Sequence, residues 1–216
     1  MIILAIIYKY LSIRRIIKDK LYSLKVLSTL IIAVVSLLYV ETHFIIVLMG
    51  FEFVPYGIDN ILGAIVFIFS YLLVDSYLKI YRNFNPTDRS SVKIKTYLFT
   101  TFVFTVIFLL LSNFFLGEWI ADVLITMFGI SSILFFVILF YSINFLINKL
   151  DRHSRVNLFW FRYLLVCIVI ISIVDTVLDV LNLPVVVNIF YIPLSILGTY
   201  ITWMFMKYVV YIEKFK

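Results

Sequence analysis

The chain has 216 residues, of which 64% are hydrophobic and 14% are charged, and its formal net charge is +6. Soluble domains are closer to one half apolar, so this excess of apolar side chains requires lipid to cover it. The basic residues flank apolar stretches, where they set membrane topology and contact lipid headgroups, so the positive charge does not indicate a nucleic-acid partner. The single cysteine, Cys167, excludes an internal disulfide and leaves the redox compartment open.

The distribution of basic residues predicts the topology. All 18 Lys and Arg residues fall in four clusters, at 9–25, 79–95, 149–162 and 207–216. Three apolar stretches separate these clusters, and each is long enough for two crossings joined by an acidic or neutral turn. Because Lys and Arg mark cytoplasmic loops, we expect an all-α polytopic protein of the bacterial inner membrane. It has six transmembrane helices in three sequential hairpins, with both termini cytoplasmic.

The first 24 residues predict an amphipathic helix on the inner leaflet, because apolar residues recur there at helical spacing among basic ones. A frayed cytoplasmic tail is the alternative. The residues expected to anchor this helix to lipid are Lys9, Arg14, Arg15, Lys18 and Lys20. The remainder, 25–216, is expected to form the six-helix transmembrane domain.

The predicted hairpins cover 25–82, 92–149 and 157–212. The spans within them are expected at about 26–40, 61–81, 97–116, 122–147, 159–181 and 186–209. Basic boundaries roughly 65 residues apart favour a duplicated hairpin, although any six-span chain with short loops shows such a rhythm.

The connecting segments are assigned by their polarity and their turn residues. Residues 44–60 form the first outer segment, with 44–54 in the membrane interface and a turn at 55–57. Residues 82–95 form the most polar inner loop. Residues 117–119 and 182–184 form the other two outer turns.

Two carboxylates are the candidate intramembrane ion or proton site. Asp175 and Asp179 are four residues apart and share a helix face. Counting from Arg162 at the inner end, they lie about 20 and 26 Å up the helix, within a hydrocarbon core of about 30 Å. The outer half of the predicted bundle has no Lys or Arg, so His43 is the one cationic partner that this chain could offer Asp175. Without it, Asp175 would be protonated, hydrated, bound to a cation or paired with another chain. Alternatively, the helix starts lower and both lie in outer water.

The other polar residues within spans have structural interpretations. Asp75 is followed by Lys79 at i+4, which predicts an ion pair near the inner interface and leaves a functional role as the alternative. Pro193 is a candidate kink in the sixth span, either a gate or a packing feature. A stripe of hydroxyls is expected to bond back to its own helix. Its members are Thr96, Thr100, Thr101 and Thr105.

No catalytic motif is present, and no metal or cofactor is expected. His43 and His153 lie on opposite sides of the predicted membrane and cannot share a metal. Glu118 and Asp122 are expected to be solvated at an outer turn. Only four Ala and six Gly are available for close helix contacts, so the hairpins are expected to be loosely packed, lipid-exposed or supported by a partner.

The last hairpin carries a family resemblance. Its sequence from Arg162 to Pro184, RYLLVCIVIISIVDTVLDVLNLP, resembles the peripheral helices of the small-conductance mechanosensitive channel superfamily. In that family, N-terminal hairpins form lipid-embedded paddles before the pore helix. The chain departs from the family in having neither a Gly/Ala-rich pore helix nor a soluble β-containing domain. The resemblance therefore implies a paddle without its pore, which is either truncated or works beside another subunit, and it assigns no pore residues.

These features lead to a hypothesis of a non-enzymatic integral membrane module: a bilayer sensor, a scaffold or a channel-associated subunit. Such a module is expected to form a homo-oligomer or to bind a partner membrane protein within the lipid bilayer. The alternative is a small transporter or ion pathway that uses Asp175 and Asp179. A membrane-embedded enzyme is a third possibility, for which the sequence offers no convergent polar site.

Overall fold

The computed structural model describes residues 20–48, 56–114, 118–152, 155–181 and 184–207. Six helices account for nearly all of these residues. They are α1 (Lys20–Leu48), α2 (Tyr56–Phe84), α3 (Arg89–Phe114), α4 (Glu118–Lys149), α5 (Val156–Leu181) and α6 (Pro184–Lys207). The all-α prediction is confirmed for this part of the chain.

Three described segments are long and apolar enough to cross a membrane: Ala64–Phe84, Arg89–Leu111 and Val123–Lys149. The other three helices carry shorter apolar segments, at Leu24–Leu38, Val156–Ile170 and Ile196–Phe205. These helices are consistent with an integral membrane protein.

The first two helices are longer than the predicted spans. α1 continues to Leu48 and α2 begins at Tyr56, so 44–48 and 56–60 are helical and do not form an outer loop. Residues 41–48 contain neither Pro nor Gly, the residues that most often end a helix. Pro55 immediately precedes α2, in keeping with the preference of proline for helix starts.

The inner loop predicted at 82–95 is reduced to the turn 85–88. Asp88 is the N-cap of α3, because its Oδ1 accepts a hydrogen bond from the Ser90 backbone N–H at 2.9 Å. The Ser91 hydroxyl donates to the Asp88 carbonyl at 2.8 Å. The polar residues after Asp88 therefore belong to the first turns of α3, where they surround a helix end.

The helices pack in consecutive pairs, α1 with α2, α3 with α4, and α5 with α6. α1 also packs along α6, which joins the first and last pairs into a four-helix core of α1, α2, α5 and α6. The pair α3–α4, called here the arm, makes smaller contacts with α2 and α5. The apolar window of α2 is 61% buried, whereas the windows of α3 and α4 are each 17% buried.

Small side chains are buried on α1 and α2. Ser28, Ala33 and Ser36 of α1 are fully buried, as is Ser70 of α2. Serine lets helix backbones approach closely, as glycine and alanine do. These serines are small packing residues that the count of Gly and Ala omitted, and the expected loose packing of the hairpins stays a prediction.

Candidate functional site at the basic end of the bundle

A buried chain of polar contacts joins all four core helices. The Tyr77 hydroxyl of α2 donates a hydrogen bond to Asn157 Oδ1 of α5 at 2.9 Å. The Asn157 Nδ2 donates to the Phe205 carbonyl of α6 at 3.0 Å. Lys25 of α1, which is 1% exposed, places its Nζ 5.1 Å from the centre of the Tyr77 ring. A neutral amide and a cation are thus held inside the bundle by specific partners.

Beside this chain lies a buried carboxylate that links the core to the arm. Asp75 of α2 is 3% exposed and pairs with Lys79 at 2.5 Å, which confirms the predicted i,i+4 ion pair. Its other oxygen, Oδ1, lies 3.4 Å from Lys95 Nζ of α3. Oδ1 makes no hydrogen bond, so the contact with Lys95 is an ion pair without hydrogen-bond alignment. The two lysine side chains are 40% and 30% exposed, which lets both ammonium groups keep water.

Two further contacts occur at the same end. Arg162 Nη1 of α5 donates to Asn144 Oδ1 of α4 at 2.9 Å. The Tyr81 hydroxyl donates to Asp88 Oδ2 at 2.7 Å and lowers the pKa of that carboxyl, with the Ser90 N–H acting in the same direction and partial burial opposing it.

Farther along α2, an aromatic seam holds the arm. Phe67 lies 5.4 Å from Phe102 of α3 and 4.1 Å from Phe135 of α4, measured between ring centres. Tyr71 stacks on Phe102 at 4.2 Å. This seam contacts both helices of the arm through offset and tilted rings, which are the favourable geometries for aromatic pairs.

These contacts bring the basic helix ends together. They join the first turns of α1, α3 and α5 to the last turns of α2, α4 and α6. The described members of the four basic clusters, which the sequence separates by apolar stretches, therefore lie at one end of the bundle. We call the polar group at this end the basic-end polar layer; it consists of the buried Lys25, Asp75, Tyr77 and Asn157 together with the partly exposed Lys95.

The predicted ion or proton site lies on α5, and the predicted kink lies on α6. Asp175 and Asp179 lie within the helical backbone of α5, but their side chains lie outside the described part of the structure. Pro193 is inside α6 and its side chain is exposed. Among the described residues, no group of three or more His, Cys, Asp or Glu side chains could hold a metal ion.

One of the five predicted lipid anchors lies within the described residues. Lys9, Arg14, Arg15 and Lys18 lie outside the described residues, and Lys20 is the first residue of α1. The inner-leaflet helix over 1–24 therefore stays a prediction, with its last five residues continuous with α1. The hydroxyl stripe is back-bonded as predicted where the bonds are described, from Thr96, Thr101 and Thr105 to carbonyls four residues earlier.

Sequence reasoning missed Tyr77 and Asn157 as partners. A single tyrosine or asparagine near the end of an apolar helix is typical of the membrane interface, so nothing in the sequence marks these two as a buried pair. Lys25 was interpreted only as a topology signal.

No protein-family model, curated protein or solved structure matches this chain. The geometry of the polar layer is that of a structural cross-link, because its charged and amide groups are held by one another across helices. It fixes the four core helices firmly and ties the arm at few points.

Proposed function

We propose that the protein is a non-enzymatic integral membrane module that senses the bilayer. Its six helices cross the membrane as three hairpins, with the basic end of the bundle in the cytosol, following the preference of Lys and Arg for cytoplasmic loops. The four-helix core is the fixed part, and the arm is the part whose position follows the surrounding lipid.

The unequal burial of the helices carries this proposal. The arm windows are 17% buried against 61% for α2, so lipid covers most of the arm surface. Large apolar side chains stand exposed on both arm helices, including Phe104 at 53% and Ile133 at 66%. A hairpin with a wide lipid surface and few protein contacts changes its preferred position when membrane thickness or lateral pressure changes.

The attachment of the arm supports the same conclusion. The arm contacts α2 through the aromatic seam around Phe67, the Asp75–Lys95 ion pair and the Tyr81–Phe145 ring pair, and it contacts α5 through the Arg162–Asn144 hydrogen bond. Apart from the aromatic seam, these contacts lie at the basic end of the bundle, so the opposite end of the arm is the part that is free to tilt. The resemblance to lipid-embedded paddles of mechanosensitive channels also favours this function, together with a partner subunit or further copies of the chain.

Distances between spin labels test the proposal. In a Cys167→Ser background, one nitroxide pair reports arm against core through Ile133→Cys and Leu38→Cys, and a second pair reports within the core through Leu38→Cys and Ile196→Cys. All three labelled positions are exposed. Changing from short-chain to long-chain phosphatidylcholine nanodiscs, or adding lysolipid, is expected to shift the first distance distribution and leave the second unchanged. Equal behaviour of the two pairs would exclude an arm that senses the bilayer.

Two independent measurements test the membrane placement and the partner. A Gly117→Cys variant is expected to react with a membrane-impermeant maleimide from outside the cell, and reaction only from inside would overturn the topology. Mass photometry in mild detergent is expected to show homo-oligomers or a co-purifying membrane protein. A purely monomeric species would contradict the expected assembly.

A further inference from the structure

Arg162 is a cation without a carboxylate partner among the described residues. Its guanidinium donates one hydrogen bond within the described residues, to Asn144, and lies 5.2 Å from the ring centre of Phe159 and 5.5 Å from that of Tyr163. A guanidinium carries five N–H donors, so this contact leaves most of them for another acceptor. The two rings and the amide fix its position at the seam between α4 and α5.

A second arginine lies on the same face of α5. The Phe159 N–H donates to the Arg155 carbonyl at 2.9 Å, so helical geometry already holds at Arg155. Seven residues are close to two helical turns, which places Arg155 below Arg162 on one stripe, about 10 Å apart along the axis. Neither arginine has an ion-pair partner in the described part of the chain.

The stripe continues into an apolar surface away from the basic end. Val166 and Ile170 of α5 are 38% and 42% exposed, and across the seam Val137 and Tyr141 of α4 are 58% and 61% exposed. Cations therefore lie at one end of the seam and exposed apolar side chains at the other. This is the polarity of a phospholipid, with a charged phosphate and acyl chains.

The position of Arg162 along α5 and the charge around the α4–α5 turn also fit an anionic phospholipid. Arg162 lies six residues after the start of α5, about 9 Å along the helix, which is comparable to the roughly 5–8 Å headgroup region of one leaflet. The α4–α5 turn and its flanks carry a local excess of positive charge. The four cations are Lys149, Arg152, Arg155 and Arg162, and the described acid is Asp151.

We propose that the α4–α5 seam binds one anionic phospholipid of the inner leaflet. Its phosphate accepts hydrogen bonds from Arg162 and Arg155, and an acyl chain lies along Val166 and Ile170. Arginine matches phosphate oxygens through paired N–H donors, and basic pockets between membrane helices recognise anionic headgroups. A soluble phosphate would use only the cationic end, so the continuous apolar stripe favours a lipid. The proposal rests on the membrane placement of α4 and α5 and is independent of bilayer sensing.

Native mass spectrometry of the delipidated full chain in detergent tests the site. Phosphatidylglycerol is titrated against diacylglycerol with the same acyl chains. The first phosphatidylglycerol is expected to bind more tightly than diacylglycerol, and Arg162→Gln is expected to weaken it about fivefold, the effect of one cation near a lipid surface. The matched control is Arg89→Gln, which removes one exposed charge from the same end of the bundle but outside the seam.

The outcomes are distinct. A loss with Arg162→Gln, a smaller loss with Arg162→Lys and none with Arg89→Gln supports the site, and the lysine variant keeps the test valid if glutamine impairs folding. Equal losses in Arg162→Gln and Arg89→Gln would mean general surface charge and overturn the proposal. Added inorganic phosphate is expected to leave phosphatidylglycerol bound. If phosphate displaces the lipid, the site belongs to a soluble anion and the proposal is overturned. If the lipid-binding test fails while Gly117→Cys is labelled from outside the cell as expected, the lipid site is excluded and the proposed membrane topology still holds.

Discussion

The hydroxyl of Tyr77 lies 2.9 Å from Oδ1 of Asn157, two residues separated by 80 positions in the chain. This bond crosses from α2 to α5, and Asn157 passes the connection to the backbone of α6. Both residues are fully buried or nearly so. The contact thus links the first helix pair to the last, in addition to the packing of α1 along α6.

Removing this bond should weaken the core. Asn157→Ala deletes an acceptor for Tyr77 and a donor to Phe205, so we expect a loss of about 2–3 kcal/mol in the free energy of unfolding. Tyr77→Phe removes one hydroxyl and should cost about 1–2 kcal/mol because Asn157 stays buried with one acceptor unpaired. Reversible unfolding in mixed micelles measures both variants. Tyr141→Phe, at an exposed position on α4, serves as control, and an equal loss there would contradict the assignment.

The ion pairs of Asp75 predict how stability is lost when its two lysine partners are replaced, first one and then both. Lys95→Met alone should cost no more than about 1 kcal/mol, since Lys79 still balances the carboxylate. Lys79→Met with Lys95→Met leaves an unpaired buried charge and should cost about 3–5 kcal/mol.

Replacing the carboxylate as well should reverse that loss. Adding Asp75→Leu to the double lysine variant removes the stranded charge, and most of the stability should return. Unfolding in mixed micelles compares the four proteins. If the double and triple variants are equally unstable, Asp75 is not the group whose charge the two lysines balance.

The aromatic seam predicts how the arm is held. Phe67→Ala removes contacts to Phe102 and Phe135 and should broaden the arm-to-core spin-label distance distribution. Ile68→Ala, at the adjacent position with 39% exposure, is the matched control and should leave that distribution unchanged. A distribution unaffected by Phe67→Ala would show that the arm is fixed elsewhere.

Asp88 predicts an acid-sensitive start of α3. Its pKa is lowered in the folded protein, chiefly by the hydrogen bond from Tyr81. Its stabilising contribution is therefore present above the unfolded pKa of about 3.9 and is lost as the pH falls through the lower, folded value. Asp88→Ala should remove that pH dependence and cost about 1 kcal/mol as a lost N-cap.

Amide hydrogen exchange in the first turn of α3 provides the measurement. Exchange at Ser90 and Ser91 should accelerate in Asp88→Ala at neutral pH. Asp88→Asn retains a capping side chain and should preserve more of this protection while losing the acid sensitivity. Identical pH profiles for the wild type and Asp88→Asn would contradict the assignment to this carboxyl.

The buried serines predict that, unlike the changes above, removing a buried hydroxyl does not lower the stability of the protein. The Ser36 hydroxyl is buried without a hydrogen-bond partner, so Ser36→Ala should leave stability unchanged or raise it by up to about 1 kcal/mol. Ser36→Leu should cost about 1–3 kcal/mol, because a larger side chain overfills a fully buried position on α1. Unfolding measurements on Ser36→Ala and Ser36→Leu distinguish the effect of the small side chain from that of its hydroxyl. Destabilisation by alanine equal to that by leucine would mean that the hydroxyl itself is needed.

Some local features of this fold follow from the sequence because they depend on neighbours along one helix. The Asp75–Lys79 pair and the back-bonded threonines are separated by about one turn, so helical geometry alone brings them together. The start of α3 was misplaced because Asp88 follows the Asn-Pro-Thr turn and acts as a cap, which hydropathy does not detect.

The sequence by itself determined that the protein is helical, that its surface needs lipid and that its basic residues flank the apolar helices, since hydropathy and charge act on each segment independently. The tertiary structure decided which helices form the core and which keep most of their apolar surface exposed. It also decided that Tyr77 meets Asn157, that Lys95 reaches Asp75 and that Arg162 is held by Asn144. These pairings join residues that are tens of positions apart in the sequence, and they depend on how well the helix surfaces fit together. Because all six helices are rich in apolar residues, no local pattern distinguishes one pairing from another.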